Sequence, residues 1–294
     1  MTPAQGRGHL AMLAFSALIA GSFSLGALAA PLISPFALTA LRFVLAAALV
    51  GAAAALGPGL GRAALAAPWR YGVLGSLLAI YFVLMFQGLK TAAPVAAAAV
   101  FTLTPVISAG FGWFLLRQRL TPRIALALAL GGLGALWVIF RGDLSALLAL
   151  QVGTGEAIYF AGCVAHALYT PMVRRLNRGE PAVVFTFFTM VAGAVLLVLT
   201  GGRDIAATDW AHLPAVVWIT LAYIAVAASA ASFVLLQFAS LRLPAAKVMA
   251  YTYLVPAWVI GWEIALHGTI PPAAALVGVG LTLVALALLL RDDC

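Results

Sequence analysis

The chain has 294 residues, 65% of them hydrophobic and 8% charged, with a mean hydropathy of +1.14. That leaves too little polar surface to cover a water-soluble globule and marks an integral membrane protein. The formal net charge of +8 does not indicate nucleic acid, because the basic residues stand in short clusters at the ends of apolar runs, where they set membrane topology.

The apolar runs are continuous over about 20 residues, which predicts helices; barrel strands would alternate over about 10. In chain order the first half gives cores at His9 to Ala30, Pro35 to Leu56, Tyr71 to Leu89, Pro94 to Leu116 and Thr121 to Phe140. The second gives Gly155 to Met172, Pro181 to Thr200, Leu213 to Gln237, Pro244 to Leu266 and Pro271 to Leu290. These are spans one to ten, and they divide the chain into halves at residues 1–147 and 148–294. Arg7, the first apolar run and Ala27-Leu28-Ala29 imitate a secretory signal. The run is longer than a signal core and completes the first half, so it is read as span one. With this layout eleven Lys and Arg fall on one side and three on the other, while Arg42 and Lys247 lie within spans. Both termini are therefore predicted to be cytoplasmic. Cys163 lies inside an apolar run and Cys294 is at the terminus, a pattern that supports neither a disulfide framework nor a metal site.

The stretch from Gln87 to Asp143 recurs from Gln237 to Asp293 at a spacing of 150: Pro94 matches Pro244, Thr102 matches Thr252, Leu116 matches Leu266 and Pro122 matches Pro272. Each half has five spans, an odd number, so the repeats are inverted in the membrane. Pro105 and Pro256, predicted helix kinks, depart from the spacing by one residue, so span nine holds an extra residue after Tyr251-Thr252. A bulge or unwinding is expected there. Gly131, Gly132 and Gly134 in span five and Gly278 and Gly280 in span ten are expected to let helices approach closely.

Charge inside hydrocarbon is costly, so the intramembrane ionisable residues Arg42, Glu156, His166, Lys247 and Glu263 are candidates for function. Lys247 either snorkels to the cytoplasmic face or meets a substrate carboxylate; its repeat partner is Ala97, so it breaks the symmetry. It is about 24 Å from Glu263 along one helix, too far to pair. Arg42 is at a depth that permits an ion pair with Glu156 or Glu263, structural or coupling in role. His166 shares a face of span six with Tyr159, Cys163 and Tyr169. Ser229 and Ser232 lie in a small-residue surface of span eight suited to close packing. Gln87 and Gln237 end spans three and eight as helix-end hydrogen bonders or gate elements.

Two inverted five-helix halves with short loops, a long fourth and ninth span each carrying a central proline, and a Pro-led fifth and tenth span together resemble the EamA-type exporters of the drug/metabolite transporter superfamily. The chain is similar to the YddG group among them, exporters of aromatic and other neutral amino acids. A Glu often found after the fourth and ninth spans is replaced here by Gln118 and Gly268. The resemblance implies an all-α membrane protein of ten transmembrane helices, a basket in which spans five and ten are peripheral to a central cavity. Tyr81, Phe101, Thr102, Tyr251 and Tyr253 lie at comparable depth near mid-membrane, and with His166, Tyr169 and Lys247 they form the candidate substrate-binding set, which the family's geometry favours as cavity lining.

The expectation is a secondary exporter of aromatic and other neutral amino acids, a monomer in a bacterial inner membrane, working by alternating access. No GxxxxGK[ST] is present to hold ATP, and no cofactor, metal or nucleic-acid partner is expected. A multidrug or organic-cation exporter is the alternative, and would need a carboxylate in the cavity. An intramembrane enzyme built on His166, Glu156 and Cys163 is more remote, because no HExxH, nucleophile elbow or acidic pair accompanies them.

Overall fold

The computed structural model describes residues 3–118, 121–140, 143, 152–268, 270 and 272–290, and is all helical over them. The expected boundary between the halves at residues 147 and 148 lies outside the described residues. Spans one to five are Pro3–Ala29, Pro35–Leu56, Trp69–Gly88, Pro94–Phe101 continuing as Thr104–Leu116, and Pro122–Ile139. Span six is Thr154–Leu176 and span seven Ala182–Ala207. Span eight runs Ala215–Ala225, a π turn at Val226–Ala231, then Ser232–Ser240. Span nine is Ala245–Ala250, a 3-10 turn at Tyr251–Leu254, then Val255–His267, and span ten is Ala273–Leu290.

Every backbone N–H and C=O in hydrocarbon must find a partner within the protein, and a helix supplies one within its own segment. Pro35, Pro94 and Pro122 stand at the first positions of their helices, where the missing N–H costs nothing and the fixed φ suits helical entry. Thr121 caps span five by accepting from the Ile124 amide. Large apolar side chains such as Leu49, Phe114, Leu126, Leu199 and Ile219 point outward to the lipid.

Span two packs on span seven and span five on span ten, while three on six is mirrored by one on eight, and four on six by one on nine. This is the pattern of a twofold relation between inverted halves. Among the expected close-approach glycines, a Cβ on Gly134 would come 2.7 Å from the Gly278 carbonyl, so these two let spans five and ten touch. Gly280 faces open space instead, Gly132 looks towards the Val106 side chain at an ordinary contact distance, and Gly131 receives the ring of Tyr253.

The expected irregularity in span nine is present, and span four breaks at the equivalent place. Thr102 and Thr104 turn their hydroxyls back to the carbonyls of Ala99 and Phe101, and Thr104 Oγ1 meets Thr252 Oγ1 at 3.3 Å. The two interruptions therefore touch. Each resumed helix carries its proline at the start, and Arg117 and Gly268, twelve positions beyond Pro105 and Pro256, both end it in the left-handed conformation. Gln118 accepts from the Ala245 amide at the head of span nine.

Candidate functional site

The two membrane faces differ in closure. On the face opposite the N-terminus a vestibule of about 890 Å³ lies among the ends of spans one, three and seven and the starts of two and eight, with Gln87, Lys90, Asp204 and His212 in its wall. On the N-terminal face polar contacts draw the helices together. His9 Nδ1 and the Tyr251 hydroxyl are 3.0 Å apart, joining spans one and nine. Arg70, itself buried, donates to Glu180 at 2.6 Å and to the Leu176 carbonyl at 2.6 Å, tying span three to the turn between six and seven. Partial burial opposes the charge on Glu180, but hydrogen bonds from Arg70 and from backbone amides outweigh it and hold the carboxyl below its ordinary value.

Between these levels a narrow cleft is lined by Phe15, Ile19, Ser22 and Phe23 of span one, Arg42 of span two, Tyr81, Phe82 and Met85 of span three, Phe101 of span four, His166 of span six, and Ala228 and Phe233 of span eight. Among the described residues, spans five and ten contribute nothing to this wall. Three of the predicted binding residues meet here: the His166 ring is 4.4 Å from Tyr81 and 5.2 Å from Phe101, centre to centre. Tyr81 is fixed by its hydroxyl, 3.0 Å from that of Tyr159. The result is a buried cluster of aromatic faces that leaves a cavity of about 10 Å³, so a larger group enters only once the helices part.

The other predicted residues lie elsewhere. Tyr169 stands behind His166, its hydroxyl accepting from Gln237 at 2.8 Å. Thr102 is buried in the span-four break. Lys247 is buried on span nine a turn before Tyr251, and neither residue is in the cleft wall. Tyr253 points the other way, against Gly131 of span five, and its carbonyl accepts from Thr282 of span ten at 3.1 Å. It anchors the peripheral helices.

Arg42 departs furthest from expectation. It does not pair with Glu156 or Glu263: Nε donates to Ser229 Oγ, Nη2 donates to the Ala228 carbonyl at 2.6 Å, and the guanidinium rests 3.5 Å over the Phe82 ring. Glu263 sits near the far end of span nine, 3.4 Å from His267, and Glu156 is buried at the start of span six. Both carboxylates are at helix ends, whereas Arg42 reaches mid-cleft. The π turn makes this possible, since its wider winding loosens the helical ladder and presents the Ala228 carbonyl and Ser229 hydroxyl to the cation. An intramembrane charge costs about 2.5–3.5 kcal/mol to insert, and these contacts offset part of that. The sequence signal was an arginine in one helix and two serines in an alanine run of another, with nothing in the numbering to join them.

Helices arranged as inverted halves around a membrane-buried aromatic cleft, with a vestibule on one face and polar contacts on the other, have the architecture of a transporter. The chain belongs to the EamA-like transporter family, whose model matches residues 6–140 and 153–291, one match in each half. It is 28% identical over 250 residues to "Uncharacterized transporter YyaM" of Bacillus subtilis (strain 168), covering 84% of this chain and 82% of that protein. It is 34% identical over 183 residues to "Aromatic amino acid exporter YddG" of Ancylobacter novellus, covering 61% of each. A crystal structure with 24% sequence identity superposes with a TM-score of 0.74 over 98% of this chain and 97% of that one, the same fold.

Proposed function

We propose that the protein exports aromatic and other neutral amino acids by alternating access, residues 1–147 and 148–294 rocking about the cleft in a bacterial inner membrane with both termini in the cytoplasm. The observation that carries this reading is the cleft wall itself, where Tyr81, Phe101 and His166 form a continuous aromatic surface beside one cation. The relative described as an aromatic amino acid exporter supports the same substrate class. An organic-cation exporter fits less well, because among the described residues the charged group in the wall is Arg42 and no acidic side chain lines the cleft. A vestibule on one face with polar closure on the other is the asymmetry expected of one end state of a rocking cycle. Reconstitution into liposomes tests the reading: uptake of labelled phenylalanine, a cationic drug and a sugar phosphate is compared with that of empty vesicles. Phenylalanine flux alone is expected. No amino-acid flux, or preferential flux of the cation, would overturn it.

A further inference from the structure

The guanidinium of Arg42 is fully buried yet only partly bonded. Nε and Nη2 are held by span eight, while Nη1 has no partner among the described residues. Ser22 Oγ is buried without a partner as well, as is His166 Nδ1, and both residues line the same cleft. Buried polar atoms without partners are costly, and a bare cationic edge more so, so these three donors and acceptors around one cavity mark a place where a polar group of a ligand gains most. The free edge belongs to a planar donor fork whose other atoms are already tied, and Phe82 covers one face of it.

We infer that Arg42 recognises the carboxylate of the transported molecule. Nη1 donates to it, and the aromatic or apolar side chain lies against Tyr81 and Phe101. Ser229 is the positioning residue, holding Nε so that Nη1 faces the cleft. The substrates are then monocarboxylates with a flat or apolar body, and an amine without a carboxylate is rejected. This inference rests on the export reading of the same cleft and names the group on which its selectivity depends.

The test uses three probes of one shape: phenylalanine, 3-phenylpropanoate, which keeps only the carboxylate, and 2-phenylethylamine, which keeps only the amine. Binding to the purified full chain is measured by thermal shift, and flux in proteoliposomes. The wild type is expected to bind 3-phenylpropanoate about tenfold or more tightly than 2-phenylethylamine, the worth of one charge-assisted hydrogen bond. Arg42→Gln is expected to abolish that preference, Arg42→Lys to keep part of it, and Ser229→Ala to weaken binding while retaining the order of the probes. Equal binding of the two single-group probes by the wild type would overturn the inference without any variant having to fold, and so would a preference that survives in Arg42→Gln. Carboxylate-dependent binding with no phenylalanine flux would keep the site and sink export. Equal flux of phenylalanine and 2-phenylethylamine would keep export and sink the site.

Discussion

The Arg42 guanidinium lies 3.5 Å from the centre of the Phe82 ring and is held from the opposite half of the molecule by Ser229 and Ala228. One cation thus joins spans two and three of the first half to span eight of the second, at the level of the cleft. Phe82→Leu keeps apolar volume but removes the aromatic face. Loss of a desolvated cation–π contact of about 1–2 kcal/mol is expected to raise the KM for phenylalanine about fivefold or more, with the protein still folded. Proteoliposome uptake at varied substrate concentration measures this.

Tyr251 is placed to close the N-terminal face through His9 rather than to line the cleft. Tyr251→Phe should therefore shift the population of states while leaving the KM for phenylalanine near the wild-type value. In a background lacking both cysteines, the labelling rate of Ser22→Cys from the N-terminal face is expected to rise about fivefold, the worth of one hydrogen bond near 1 kcal/mol. A raised KM with unchanged labelling would instead place Tyr251 against the substrate.

Glu180 is held below the ordinary carboxylate range, chiefly by Arg70 against the opposing effect of its own burial. A carboxyl depressed in the folded state contributes stability above its unfolded value of about 4.3, and loses it as pH falls through the lower folded value. Glu180→Gln is expected to cost about 2 kcal/mol at neutral pH, since buried Arg70 keeps two carbonyl acceptors, and to flatten the acid limb of a plot of melting temperature against pH.

A Cβ on Gly278 would lie 2.7 Å from the Gly134 carbonyl, so Gly278→Ala forces spans five and ten apart. Destabilisation of about 1–3 kcal/mol is expected. Because neither span reaches the cleft, flux per folded molecule should stay at the wild-type level, as size-exclusion and uptake measured on the same preparation would report.

Much of the fold was legible because its causes are local or periodic. The Gln87 to Asp143 repeat and the prolines that open spans two, four and five are read along the chain, and the structure has the helices there. Part of the site was legible too: Tyr81, Phe101 and His166 were all expected in the binding set, and their rings meet. Direction around a helix axis was not. Tyr253 follows Tyr251 by two residues, which puts it on roughly the opposite side of the helix, and its ring goes to Gly131 of span five. The partners of Arg42 were hidden for another reason. Ser229 is 187 positions away and reaches it through a π turn in an alanine-rich run, where no proline or glycine marks the irregularity.

Counterflow tests alternating access most directly. Proteoliposomes are loaded with a high concentration of unlabelled phenylalanine and diluted into a trace of labelled phenylalanine. A carrier whose site faces one side at a time predicts a transient accumulation of label above the external concentration, abolished in Arg42→Gln. Label that only rises to equilibrium, as through a channel, or that never enters above the level of empty vesicles, would contradict the account.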